Sequence, residues 1–315
     1  MFNSHSGGSS ASSLDLFVQP FASVDPEVGV EYELDSVGSF SFSHIAGSTI
    51  RKRFYRLHWR DTALVLCKVP ITGVSSEEYF LDNQPSKCTQ AQIFIEVACA
   101  FSKVFPEFAT VHYSDPSTGL IILDDLGDKS LFAIITQNGV TEPILKLFEK
   151  MLSFIVRFQK SEDILPPKFI GRSRQFGYHS LWAEIEEFLN FGLKIYYGVP
   201  SEDIAIFETD LKKLALQIGS VQTSVVHRDL QSKNLMVLPG EAGLSIIDAQ
   251  DAAIGPWLYD VASLVYDPYV NLSCNVKESL ARLFWESQKL VHLPWEDYLF
   301  ELKMTAIQRF ELSPF

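Results

Sequence analysis

The sequence predicts an α+β chain of two lobes, a small antiparallel sheet followed by a larger, mainly helical body. Three observations predict it. β-rich runs at 41–45, 53–57 and 63–68 are separated by turn residues in the first third of the chain. Apolar residues then recur at helical spacing over 142–160, through Ile144, Leu147, Phe148, Met151, Phe154, Ile155 and Phe158, and again over 276–310. Between those helical regions, two short apolar runs at 235–238 and 244–247 flank Pro239-Gly240 and read as a hairpin. With 315 residues, 47% of them apolar, the chain can bury a sizeable core as one two-lobed domain or two small ones.

Taken in order, residues 1–13 are Ser/Gly-rich and are expected to be a disordered leader. The first lobe is expected over 14–126 and the second over 127–315. Residues 28–34 read as an arm or helix docking on the first lobe, whose sheet begins near Phe40. Ala46-Gly47-Ser48-Thr49 turns between the first two strands. Backbone N–H groups of Gly47, Ser48 and Thr49 would point at phosphates, or the segment is a plain hairpin turn. Arg51, Lys52 and Arg53 follow, but alternation along a strand prevents all three from serving one ligand. Lys68 ends the third strand, either at a phosphate or at an exposed edge. A helix over 91–101 puts Ile93, Val97 and Phe101 on one face. Glu96 on that helix either pairs with Lys68 or lies in solvent. Residues 112–119 read as a turn, 120–123 as a buried strand, and Asp124-Asp125-Leu126-Gly127-Asp128 as a connection in which Asp128 caps a helix from Lys129. Residues 181–191 carry Glu184 and Asn190, and a helix over 204–216 is expected to pack beneath the loop that follows.

That loop opens the most informative stretch, 225–260. Asp229 and Asn234 lie after the apolar pair Val225-Val226, and Asp248 ends the second hairpin strand. The hairpin would bring Asn234 and Asp248 to one end. One carboxylate to orient and deprotonate a hydroxyl, with an amide oxygen and a second carboxylate to hold Mg²⁺ on a nucleotide, is what phosphoryl transfer needs. His227-Arg228-Asp229 through Asn234 matches the kinase catalytic loop H-R-D-x-x-x-x-N, and Asp248 stands where the D-F-G aspartate stands. The sequel does not follow protein kinases: Ala249-Gln250-Asp251 replaces F-G, and 255–264 is not A-P-E. No activation loop separates Asp248 from Gly255, which argues against protein substrates.

This wording resembles the aminoglycoside phosphotransferase family, small-molecule kinases with a protein-kinase-like fold. The run I-D-A-Q-D-A-x-x-G-P-x-x-Y-D-V-A-S-L is most similar to bacterial kinases that phosphorylate the anomeric hydroxyl of cell-wall amino sugars. The resemblance covers most of the chain from Phe40, and its specific part is 225–264. It implies ATP and Mg²⁺ as cofactors and a small-molecule sugar acceptor. It implies Asp229 as the catalytic base and Asn234 and Asp248 as metal ligands. Gly47, Ser48, Thr49 and Lys68, with Glu96 as its partner, would serve the phosphates, and the backbone of Asp124 and Leu126 the purine edge. Glu184, Asn190 and Asp251 fall on the acceptor side, although a solvated helix face explains the first two equally. His227 and Arg228 would brace the loop, and Asp260 would hydrogen-bond its backbone. An aminoglycoside antibiotic as acceptor and a catalytically idle nucleotide-binding scaffold are the competing readings. Ending at Phe315, the chain is expected to lack a further C-terminal helix found in relatives.

Composition excludes other classes. A formal net charge of -13 argues against a nucleic-acid partner, whose phosphates need a basic face. It suits a cationic substrate, or simply a soluble acidic surface. No apolar run approaches the roughly 18 residues of a membrane span. The N-terminus lacks a secretory signal, and Cys67, Cys88, Cys99 and Cys274 show no C-x-x-C spacing, so a cytoplasmic protein with reduced thiols is expected.

Overall fold

The structure, a computed structural model, describes residues 21–311 apart from 23, 35–37, 46–51, 60, 72–88, 168, 240–242 and 289–292. The 1–13 leader, Gly47, Ser48, Thr49, Arg51 and Gly240 therefore lie outside the described residues. The chain divides into two compact units, one built from residues up to 73, 89–95 and 110–125, the other from the remainder.

Six antiparallel strands form the first unit: β1 (Glu31–Leu34), β2 (Gly38–His44), β3 (Arg53–Trp59), β4 (Thr62–Lys68), β5 (Val111–Asp115) and β6 (Leu120–Asp124), in the order β1-β2-β3-β4-β6-β5. Alternation places Phe40 and Phe42, Tyr55 and Leu57, and Leu64 and Leu66 on one face, where Phe21, Leu120 and Ile122 complete a core. Phe42 meets Phe21, Tyr32, Phe40 and Tyr55 edge to face, with centroids 5.0–6.4 Å apart. Each such pair contributes about 0.5–1.5 kcal/mol beyond area burial.

Two expectations are corrected here. Residues 31–34, read as part of an arm or helix, form the edge strand β1, because Tyr32 stacks on Phe40 at 5.4 Å between two exposed glutamates. His112, placed in a turn, belongs to β5, and the turn is confined to 116–119. Gly119 closes it with φ +73°, and a Cβ there would stand 2.0 Å from the Val69 carbonyl oxygen, which belongs to the next backbone segment. The clash adds to the cost of about 1–2 kcal/mol for a left-handed L-residue. Gly119→Ala is thus expected to lower unfolding free energy by at least about 2 kcal/mol in urea titration.

In the second unit lie helices α2 (Leu131–Asn138), α3 (Glu142–Gln159), α4 (Tyr178–Glu187), α5 (Ser201–Gly219), α6 (Tyr259–Val265), α7 (Cys274–Ser287) and α8 (Trp295–Glu311). The preceding helix α1 (Gln90–Val104) runs longer than the expected 91–101. Ser130, not Asp128, caps α2: its Oγ accepts from the Ala133 N–H at 3.2 Å, satisfying one of the orphan donors of the first turn. The α3 stripe buries Phe148, Phe154 and Phe158, and Phe101, Phe105, Phe108 and Phe169 join the last two in one aromatic cluster. A π-helical segment, Phe188–Tyr196, continues α4. Two short antiparallel ladders complete the unit, β7 (Thr223–Val226) with β10 (Ala253–Pro256), and β8 (Leu235–Val237) with β9 (Leu244–Ile246). Ile204, Leu214, Ala215 and Ile218 of α5 pack with Val226 and Ala253, so this helix supports the strand that feeds the loop at 227–234.

Candidate active site

The loop at 227–234 leaves β7 and is held at both ends by buried carboxylates. Asp260 of α6, fully buried, accepts from the His227 N–H through Oδ2 at 2.7 Å and from the Arg228 N–H through Oδ1 at 2.9 Å. Asp267, also buried, accepts from the Ser232 N–H at 2.6 Å and the Tyr269 N–H at 2.8 Å. Buried backbone donors must find acceptors, and here two aspartates supply them where no strand or helix can.

Within this frame Arg228 takes a left-handed backbone, φ 73°, an unusual conformation for a bulky residue. Its side chain compensates. The guanidinium lies 4.1 Å over the Phe176 ring and donates to Glu184 Oε1 at 3.0 Å. His227 is fully buried, stacks on Phe108 at 6.2 Å, and accepts the Asp229 N–H at Nδ1 over 3.3 Å. Burial pushes its imidazole pKa down, which favours the neutral ring that this acceptor role needs.

Asp229 emerges half-buried from this support. Asn234 Nδ2 donates to its Oδ2 at 2.7 Å and to its backbone carbonyl at 3.0 Å. Arg309 Nη2, from α8, donates to its Oδ1 at 2.6 Å. Burial pushes the Asp229 carboxyl above the usual carboxylate range; Arg309 works against that, and the charges of Asp248 and Asp251 reinforce it. The β8–β9 hairpin brings Asn234 and Asp248 to one end as expected: Leu235 pairs with Ile246, and the Ile247 N–H donates to the Asn234 carbonyl at 3.0 Å. Asp248 follows in the left-handed region, φ 67°, which aspartate tolerates better than most residues.

The remaining expected site residues have their own contacts within each unit. Glu184, expected at the acceptor, has both oxygens engaged inside the unit, by Arg228 and by Gln308 Nε2 at 2.8 Å; it braces the loop. Asn190 is exposed on the π-helical segment. Asp251, expected at acceptor or metal, accepts from Gln250 Nε2 at 2.9 Å and lies 4.0 Å from Arg174. The expected pairing of Glu96 with Lys68 is corrected. Glu96 Oε1 accepts from the Ile170 N–H at 2.8 Å, and Lys68 faces Asp25 at 3.3 Å, a carboxylate it shares with Arg53. The Asp124 N–H donates to the Thr110 carbonyl at 3.1 Å, and its carboxylate meets the Thr110 N–H and His112. Its N–H is therefore committed to Thr110, just before β5. Leu126 is half-buried in the connection that follows.

Sequence reasoning missed four contributors: Arg309, Gln308, Asp267 and Arg174. Arg174 is fully buried and donates through Nη1 to the Gln250 and Ala252 carbonyls, clamping the turn after Asp248. A single charged residue carries no periodic signal. Only the rule that a charge inside an apolar run must find a partner would have singled any of them out.

The donors fit a hard divalent cation. The Asn234 amide is oriented by its Nδ2 bonds so that Oδ1 turns away from Asp229, and Asp248 supplies a carboxylate, an all-oxygen set. The mutual repulsion of Asp229, Asp248 and Asp251 is what such a cation would offset. Among the described residues no three His, Cys, Asp or Glu side chains form a metal cage. Mg²⁺ does not require one, since it completes its shell with phosphates and water.

The six-stranded antiparallel sheet and the helical second unit are those of a protein-kinase-like fold, and similarity to a phosphotransferase family model and to kinases makes the chain a phosphotransferase enzyme. Residues 137–285 match the family model described as "Phosphotransferase enzyme family". The chain is 24% identical over 260 residues to the N-acetylmuramate/N-acetylglucosamine kinase of Neisseria meningitidis serogroup B, covering 81% of this chain and 70% of that protein. A putative aminoglycoside phosphotransferase from Ralstonia eutropha has the same fold, with a TM-score of 0.57 at 13% identity, covering 94% of this chain and 84% of the other. Spectinomycin phosphotransferase, solved with ADP and spectinomycin, aligns with a TM-score of 0.54 at 13% identity over 89% and 82% of the two chains. Among the described residues no helix is long and apolar enough to cross a membrane.

Proposed function

We propose that this chain transfers the γ-phosphoryl group of ATP to a sugar hydroxyl, the anomeric hydroxyl of an N-acetylated amino sugar, in the cytoplasm. One observation carries the chemistry: Asp229 is fixed by Asn234 at 2.7 Å, at the end of a hairpin that also presents Asp248. The acceptor class draws on the likeness to kinases named for N-acetylmuramate and N-acetylglucosamine.

In this proposal Asp229 accepts a hydrogen bond from the acceptor hydroxyl, aligns its oxygen with the phosphorus, and takes the proton late. Asn234 Oδ1 and Asp248 would hold Mg²⁺, which when bound neutralises charge on the transferring phosphoryl group. Lys68 and the turn at Gly47, Ser48 and Thr49 are assigned to the phosphates. The Asp124 carbonyl and the Leu126 N–H are assigned to the purine edge. Because the transition state is loose, positioning rather than proton abstraction carries most of the rate. The bonds of Asp260 and Asp267 to the loop backbone serve that positioning, since they fix the stem from which Asp229 projects.

Phosphorus NMR of the protein with ATP, Mg²⁺ and a panel of sugars tests this reading. N-acetylglucosamine or N-acetylmuramate should yield a phosphate coupled to the anomeric proton. Transfer only to an aminoglycoside such as kanamycin would replace the acceptor. No transfer to any sugar would remove the kinase reading in favour of an idle scaffold.

A further inference from the structure

Arg309 lies beyond the segment 137–285 that matches the phosphotransferase family model, on the C-terminal helix α8. Its guanidinium nevertheless reaches the loop. Nη2 donates to Asp229 Oδ1 at 2.6 Å, Nε donates to Ser263 Oγ of α6 at 3.4 Å, and the group lies 5.8 Å from the Tyr259 ring centroid. Its side chain is 14% exposed. The neighbouring Gln308 is fully buried and donates to Glu184, which in turn holds Arg228 at 3.0 Å. Two consecutive residues of α8 therefore grip the catalytic loop from one side, one through Asp229 directly and one through Glu184 and Arg228.

We infer that Arg309 is a positioning residue for phosphoryl transfer: with Asn234 it locks the Asp229 carboxylate in a single orientation. The inference rests on the proposal that Asp229 meets the acceptor hydroxyl. A carboxylate held at one oxygen can still swing about its terminal torsion, which is broad in aspartate. Asp229 is held at both, by Asn234 on Oδ2 and by Arg309 on Oδ1. An ionised carboxylate offers about four lone-pair sites, so two remain to receive the hydroxyl. The fork of a guanidinium suits this work better than an ammonium, because its donors are planar and pre-set. Arg309 offsets part of the rise in basicity that burial gives Asp229, but a loose transition state loses little by that and gains from fixed geometry.

The test compares wild type, Arg309→Ala and Arg309→Lys with ATP, Mg²⁺ and N-acetylglucosamine or N-acetylmuramate, together with thermal melts. Arg309→Ala is expected to lose about 100-fold in kcat, the scale of a small misplacement of reacting groups, with KM for ATP changed less than about threefold. Millimolar guanidinium added to Arg309→Ala should recover about tenfold of kcat and leave wild type unaffected. Arg309→Lys should fall between the two. A kcat for Arg309→Ala within about threefold of wild type overturns the inference, as does a loss that neither guanidinium nor lysine relieves while the melt shows a destabilised fold. A wild type that phosphorylates neither sugar defeats the functional proposal itself, which separates the two failures.

Discussion

Asp229→Asn is expected to lower kcat by about three to four orders of magnitude while leaving nucleotide affinity within about threefold. The substitution is nearly isosteric. An asparagine oxygen can still accept the acceptor's hydrogen bond, but it cannot take the proton when the oxygen–phosphorus bond forms. It also removes the anion that Arg309 grips at 2.6 Å, so the amide is free to turn its NH₂ toward the acceptor. Nucleotide affinity should hold because Asp229 is assigned to the acceptor and not to the phosphates. Steady-state ADP release with the sugar acceptor, paired with titration of a fluorescent ATP analogue, measures both quantities. Retention of full turnover by Asp229→Asn would remove Asp229 from the chemistry.

The second large effect belongs to stability. Asp260→Ala is expected to cost about 3–5 kcal/mol of unfolding free energy, because it strips two buried backbone donors of their acceptor at once. The His227 and Arg228 N–H groups have their acceptors at 2.7 and 2.9 Å in Asp260, and Arg228 already carries left-handed backbone strain. Asp260→Asn should cost less, since one amide oxygen remains, yet its NH₂ would oppose a second N–H. Urea unfolding of the two variants orders them. An Asp260→Ala protein within about 1 kcal/mol of wild type would show that the loop finds other acceptors.

How far the sequence could be read depended on whether a signal was local. The hairpin at Asn234 and Asp248 was readable because two short apolar runs flank a Pro-Gly turn, and turn chemistry acts over a few residues. The α3 stripe was readable for the same reason, in a period of 3.6. The run from Ala252 to Val265 was not resolved into β10 and α6, because nearly every residue in it is buried and a segment buried all round shows no period. Ion-pair partners were the least readable. Lys68 could be matched to Glu96 by analogy, but the outcome depends on where Asp25 is carried by a segment without a motif. Glu184 looked like a solvated or acceptor-side acid because its partners, Arg228 and Gln308, lie 44 and 124 residues away. Arg309 looked like any basic residue near a helix C-terminus, where cations are favourable in their own right.

Anomalous diffraction from crystals grown with Mn²⁺ and a non-hydrolysable ATP analogue tests the phosphotransfer centre most directly. The predicted result is a manganese peak bound by Asn234 and Asp248, with the analogue's terminal phosphate directed toward Asp229. Manganese held by other residues, with Asp229 remote from the terminal phosphate, would contradict it.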